Sequence, residues 1–380
     1  MRRTLYTDEH EQFRAAFRQF LDAEAVPHWE EWEKAGTAPR EFWRAAGKLG
    51  FLGFEAPEQY GGLGIRDFRY NAVLQEEVAD SGIATDGFAL HNDIVAPYLL
   101  DWTTDEQKAR WLPGFTSGET ITAIAMTEPH AGSDLASIRT TARIEGSSVV
   151  LDGAKTFITN GSIADLVLVL ARTGERGMTL VAVEAGTPGL RHGTPLRKIG
   201  RKGQDTAEVF LDGCVVPVEN VLGEPGAGLE LVKHNLARER LSIAVHAVAS
   251  AHKALQLALE HATTRTTFGK PLARHQAILH DLAQAHIDIQ VVRSHVDACV
   301  AALVDGELSG EDAAGAKLAA TELESRVLDR ALQLFGGYGF MEEYPIARRW
   351  RDARVQRIYG GANEIMREIV GRALLASTAR

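Results

Sequence analysis

The 380 residues, 45% hydrophobic and 24% charged, have the composition of an ordinary globular protein that is too long for one compact core, so two or three domains are expected. A net charge of −10 argues against nucleic acid or an anionic membrane as the main partner, and no apolar run approaches a membrane span, while a phosphorylated small ligand remains allowed. Only two cysteines, Cys214 and Cys299, stand far apart, which excludes a disulfide framework and a cysteine zinc site and points to a reduced, cytoplasmic setting; the 13 histidines show no HExxH spacing, so no metal is expected.

Thr7 reads as a helix N-cap, followed by an acidic first turn and by Phe13, Phe17 and Leu21 at four-residue spacing, the pattern of an amphipathic helix. Because Met1-Arg2-Arg3 runs straight into Thr7-Asp8-Glu9-His10-Glu11, neither a secretory nor an organellar leader is expected. Further helical patterns cover 41–49, 70–80, 89–100 and 105–112, with the glycine-rich 60–64 as a loop, so residues 1–118 form an all-helical domain. From Ile121 the texture changes to short, often β-branched runs at 121–125, 140–144, 149–151, 166–170, 179–183 and 208–211, which predict a β-domain over 119–222. The turn-rich 223–228 closes it, and long helical patterns fill 223–380, broken at 268–271 and 335–339. The fold class is therefore mostly α with a central β-domain.

Several breaks carry polar chemistry. Ala125 to Asp134 leaves a strand for a loop rich in small and hydroxyl residues, either a plain strand-ending turn or a loop offering N–H groups and the Thr127 and Ser133 hydroxyls to a ring edge or a pyrophosphate. Lys155 to Gly161 reads as a strand ending in an Asn-Gly turn, with Phe157 either in the core or laid against a flat cofactor beside Thr159. Arg265 sits at a helix end, where it serves the helix dipole or a diphosphate. No GxGxxG or Walker motif is present, so a dinucleotide held in Rossmann or P-loop fashion is excluded.

The strongest anomaly is Glu239. At helical spacing Val232, Leu236, Glu239, Ile243 and His246 share one stripe, so a carboxylate stands where an apolar residue is expected. Its neighbours at three and four residues, Asn235, Leu236, Ser242 and Ile243, offer no cation. Either an arginine from another helix pairs with it or it has a chemical role.

AMTEPHAGSD (125–134), KTFITNG (155–161), the stretch from Lys198 to Glu224, RTTFGKPLARHQAI (265–278), QLFGGYGF (333–340) and RIYGGANEIM (357–366) together resemble the acyl-CoA dehydrogenase family in order and spacing. In pattern they are similar to its long-chain subgroup. The resemblance implies an N-terminal helical domain, a middle β-barrel or sandwich domain and a C-terminal four-helix bundle. It implies FAD held by Ile124, Met126, Thr127, Gly132, Ser133, Phe157, Thr159 and Glu364, with Arg265, Phe268, Gln276, Gln333, Gly336 and Gly337 reaching the FAD of a neighbouring subunit in a homotetramer. The substrate implied is an acyl-CoA or other acyl thioester, contacted by Ser133, Leu236, Arg240, Tyr359 and Gly360, with electron-transfer flavoprotein as acceptor.

Many members of the family carry a catalytic Glu directly after the Tyr of the last motif, and this chain has Gly360 there. The long-chain and isovaleryl subgroups place the base in an ERL-like context instead, which Glu239-Arg240-Leu241 matches, so Glu239 is the expected base. Phe157 replaces a frequent Trp and Ala362 a usual Thr. An acyl-CoA oxidase, a dehydrogenase of carrier-protein-bound acyl groups, and a non-catalytic assembly protein of the same fold are the alternatives.

Overall fold

The computed structural model describes residues 3–83, 85–174 and 177–378; Met1 and Arg2, on which the leader expectation partly rests, lie outside them. Seven helices open the chain: α1 (Asp8–Glu24), α2 (Trp29–Ala35), α3 (Arg40–Lys48), α4 (Phe68–Ser81), α5 (Asp86–Ala89), α6 (Ala96–Asp101) and α7 (Asp105–Ser117). Phe17, Phe20, Trp29, Trp32, Phe42, Trp43, Phe51 and Phe54 form their aromatic core. Burial of rings of this size, at roughly 25 cal/mol per Å² of apolar surface, holds the short helices together.

The helix expected over 89–100 is not one continuous α-helix. Residues Leu90–Val95 form a wider π-helical turn between α5 and α6. Three consecutive buried polar side chains explain it. His91 meets the Phe115 carbonyl (2.9 Å), Asn92 accepts from Gly53 N–H (2.8 Å), and Asp93 accepts from Asn71 and Gln75 (both 2.8 Å). A regular turn would not direct all three outward to separate partners, and such bulges recur near functional sites.

The β-domain is built from β1 (Thr122–Ala125), β2 (Thr141–Glu145), β3 (Ser148–Thr159), β4 (Leu166–Thr173), β5 (Gly177–Glu184), β6 (Leu190–His192), β7 (Thr206–Pro217) and β8 (Val221–Leu222). The sheet runs β6-β7-β3-β2-β4-β5-β8, with β1 added parallel to β4. The runs expected separately at 149–151 and 155–159 belong to one long strand, β3, because both pair with β7. Its register slips between Lys155 and Ile158, a bulge that leaves Phe157 at φ +58° and 67% exposed.

The C-terminal part comprises α8 (Gly228–Thr264), a small hairpin of β9 (Thr266–Thr267) and β10 (Lys270–Pro271), α9 (Gln276–Val304), α10 (Gly310–Phe335), α11 (Pro345–Ala353) and α12 (Asn363–Thr378). Helices α8, α9 and α10 pack on one another and α12 packs on α10, around Ala251, Leu255, Leu282, Ile289, Leu323 and Leu328. Helix α8 also packs on α4, carrying the N-terminal helices against the bundle. Cys214 and Cys299 are both buried free thiols.

Candidate active site

Beyond Val232, which is buried in a core cluster, the stripe on α8 that singled out Glu239 is only partly shielded. Leu236, Glu239, Ile243 and His246 are all half-buried, whereas Leu241, Ala244, Val245 and Val248, on nearly the opposite side of the helix, are fully buried. This is the less closely packed side of α8, where a carboxylate is tolerated because the charges of Arg240 and Lys317 are near it.

Three consecutive charged residues on α8 are handled differently. Arg238 is locked in an ion pair with Glu55, its Nη1 donating at 3.1 Å. Glu239 has no cation within ion-pair distance among the described residues, so the reading that an arginine from another helix neutralises it is not met. Arg240 is buried, and its Nε finds no acceptor among the described residues.

Burial pushes the Glu239 carboxyl above the usual range, and the positive charges of Arg240 and Lys317 partly offset that rise. Tyr98, buried on α6, faces the same carboxylate; burial and Glu239 both drive its phenol upward, against a nearby Asn235 side chain.

The turn Tyr359-Gly360-Gly361 closes this constellation. Both glycines are left-handed, at φ +63° and +91°. A Cβ at position 360 would lie 3.6 Å from Glu239 Oε1 and only 2.3 Å from Ile243 Cδ1; one at 361 would lie 4.0 Å from Arg240 Nη2. Glu239, Arg240, Tyr359 and Gly360, named separately from sequence, are thus brought together, and Glu239 reaches the volume a side chain at 360 would take. The Gly360 N–H donates to no acceptor among the described residues.

A second cluster lies where β1 and β3 end. Thr156 N–H donates to the Thr127 carbonyl (2.9 Å), and Lys155 Nζ donates to the Met126 carbonyl (3.0 Å) and to Glu128 Oε1 (2.9 Å). These bonds tie the 126–134 loop to the Phe157 bulge. Glu128, which sequence reasoning passed over, is the anchor: it also accepts the N–H groups of Arg139 (2.6 Å) and Thr140 (2.8 Å). Burial alone would raise its pKa, but bonds from Thr140, Arg139 and Lys155 hold it at about 2.

The result is an exposed aromatic platform, Phe157, beside the half-buried Thr127, Thr159 and Met126, with Ile124 buried beneath in β1 and Gly132 and Ser133 on the exposed loop. A flat ring system with a polar edge fits this arrangement, as FAD requires.

The third group, Arg265, Phe268, Gln276, Gln333, Gly336 and Gly337, is exposed at one end of the bundle. Arg265 sits 5.8 Å over the Tyr338 ring, which joins the β9–β10 hairpin to the break after α10. Phe268 is 96% exposed at φ +49°, a strained posture for an aromatic residue. Glu364 is exposed in the first turn of α12, 3.5 Å from Arg367.

Sequence reasoning also missed Lys317, fully buried on α10, whose Nζ donates to the Gly361 carbonyl (2.8 Å) and to Asn363 Oδ1 (2.9 Å). The signal was available: Ala313, Lys317, Ala320, Glu324 and Val327 share a stripe on α10, the same anomaly that exposed Glu239.

Family models for the N-terminal, middle and C-terminal domains of acyl-CoA dehydrogenase match residues 7–119, 123–214 and 226–375. The long-chain specific acyl-CoA dehydrogenase of Rattus norvegicus mitochondria is 42% identical over 99% of this chain and 89% of its own length. A crystal structure of acyl-CoA dehydrogenase from Geobacillus kaustophilus superposes with a TM-score of 0.95 at 44% identity, covering 97% of this chain and 98% of that one. An acyl-CoA dehydrogenase from Bacillus anthracis complexed with FAD gives a TM-score of 0.90 at 30% identity, covering 98% and 69%.

Proposed function

The chain belongs to the acyl-CoA dehydrogenase family, FAD-dependent oxidoreductases, and from that premise we propose that it removes the α and β hydrogens of an acyl-CoA thioester with Glu239 as the base. One observation carries the assignment. Glu239 is an unpaired, raised-pKa carboxylate whose oxygen lies 3.6 Å from the Cβ position of Gly360, and no carboxylate stands at 360 itself. A base for a carbon acid needs a higher affinity for the proton than an ordinary glutamate has, and burial supplies it.

Residues at the ends of β1 and β3, Met126, Thr127, Phe157 and Thr159, would hold the flavin, with the 132–133 loop toward its pyrophosphate. FAD, when bound, supplies the acceptor for the β-hydride. The chain's own work is to orient the thioester and move the α-proton. The Gly360 N–H, free of protein acceptors among the described residues, is placed to donate to the thioester carbonyl and so acidify the α-carbon. Glu239 Oε1, beside the same turn, takes the α-proton. Leu236, one turn earlier on α8, would line the acyl chain.

The exposed Arg265, Phe268, Gln276, Gln333, Gly336 and Gly337 support a homotetramer in which each bundle end reaches a neighbour's FAD, because a 96% exposed Phe268 is costly in a free chain. Electron-transfer flavoprotein is the proposed acceptor of the electrons.

Glu239→Gln keeps shape and removes the base. The FAD-loaded variant is expected to stay yellow when acyl-CoA is added without oxygen, with flavin reduction slowed by roughly 10²–10⁴-fold; bleaching at the parent rate would remove Glu239 from this role. Peroxide formation in air faster than reduction of electron-transfer flavoprotein would favour the oxidase alternative.

A further inference from the structure

The Gly360–Gly361 turn is held from behind by a cation with no anion of its own. Lys317 is completely buried, and its two hydrogen bonds go to neutral oxygens, the Gly361 carbonyl and the Asn363 amide. No carboxylate comes within ion-pair distance of its Nζ among the described residues. Asn363 is itself fixed, donating to Thr321 Oγ1 and Glu322 Oε1 (both 3.0 Å). A buried ammonium without a counter-ion is expensive, and a carbonyl acceptor could be satisfied by an uncharged donor at much lower cost. The charge therefore needs a reason beyond closing a turn.

The charged surroundings supply one. Lys317 feels Arg240, Glu239, Glu364 and Glu322; the last two are engaged with arginines, Glu364 with Arg367 and Glu322 with Arg357 and Arg367. Facing Glu239 are Arg240 on its own helix, Lys317 on α10, Tyr98 on α6 and Tyr359 in the turn before α12. Arg240 has no ion pair of its own either, so two buried cations share one unpaired carboxylate across a pair of glycines that admit no screening side chain.

We propose that Lys317 is a positioning residue for the dehydrogenation: its ammonium clamps the Gly361 carbonyl, so that the Gly360 N–H and the Glu239 carboxylate keep their mutual geometry, and its charge, with that of Arg240, favours the ionised form of Glu239. Burial also pushes Lys317 itself down to about 8, so its charge is lost on the basic side. This inference rests on Glu239 being the base.

Three variants test it in the FAD-loaded enzyme, by the pH profile of kcat/KM for anaerobic flavin reduction with whichever acyl-CoA bleaches the parent fastest. Lys317→Met removes the charge and the clamp. Asn363→Asp keeps the Lys317–Gly361 bond and sets a carboxylate against the ammonium, offsetting its charge, while giving up the donor bonds to Thr321 and Glu322. Lys317→Arg keeps the charge. Removing or offsetting a positive charge makes Glu239 easier to protonate, so in the first two the acidic limb moves to higher pH by about one unit, roughly a tenfold loss on the acid side. In Asn363→Asp the plateau at higher pH is retained, and Lys317→Arg leaves the limb where it was.

An acidic limb unmoved in Asn363→Asp or Lys317→Met, with activity merely lowered at every pH, would show a structural cap only and overturn the proposal. If Lys317→Met does not take up FAD, the limb in Asn363→Asp decides. If instead Glu239→Gln still bleaches, the base assignment fails, which is a different result from an unmoved limb in an enzyme that Glu239→Gln has silenced.

Discussion

Two carboxylates in this protein are withdrawn from water in opposite ways. Glu128, at the end of β1, is fully engaged by the Lys155 ammonium and the N–H groups of Arg139 and Thr140 and is held at about 2. Glu239, on α8, has no ion pair among the described residues, and its proton affinity is raised. The first is an anchor that fixes the 126–134 loop to the Phe157 bulge, and the second is the proposed base. What separates them most plainly is whether their oxygens already have partners: bonds to a buried carboxylate offset the desolvation that otherwise raises its proton affinity.

The contrast is tested most severely at Glu128. Glu128→Gln strands Lys155 as a buried unpaired cation, and a loss of about 3–5 kcal/mol in chemical denaturation is expected, together with weaker FAD retention. The pH dependence has a definite sign. Because the folded-state pKa, about 2, lies below the ordinary 4.5, the stability from Glu128 is complete above 4.5 and is lost as the pH falls from there through 2. In the variant that acid-dependent component should be missing from the unfolding free energy; an unchanged acid dependence would show that Glu128 is not the anchor.

Gly360→Ala comes next. A Cβ there meets a backbone at φ +63° and the Ile243 methyl at 2.3 Å, so about 1–2 kcal/mol of stability should go, along with much of the activity, since the added carbon also presses toward Glu239. Full activity in this variant would mean the turn is not part of the reacting geometry.

The smallest effect has the opposite sign. The folded state disfavours the ionised form of Glu239, so above its raised pKa the carboxylate costs stability, and Glu239→Gln should hold or slightly raise the melting temperature at neutral pH while slowing flavin reduction. A marked fall in melting temperature would place Glu239 with Glu128, as a structural acid.

The order helical, β, helical was legible from periodicity because long amphipathic repeats and short β-branched runs are local signals. So was Glu239, since a charge in an apolar stripe contradicts its immediate neighbours. Lys317 showed the same contradiction on α10 and was overlooked. The π turn at 90–95 was not legible: it exists because His91, Asn92 and Asp93 find partners on the 51–53 segment, on α4, and at Phe115 in α7, which spacing along one helix does not reveal.

By itself the sequence determined the fold class, the family, and a carboxylate in an unexpected place on α8, all from patterns that need no knowledge of what lies across the fold. Only the tertiary structure decided that this carboxylate forms no ion pair among the described residues, that it borders Gly360, and that Lys317 stands behind the same turn. Charge is a property of a residue, but whether a charge is neutralised depends on atoms brought within a few ångströms by segments far apart along the chain, as Glu239, Lys317 and Gly361 are.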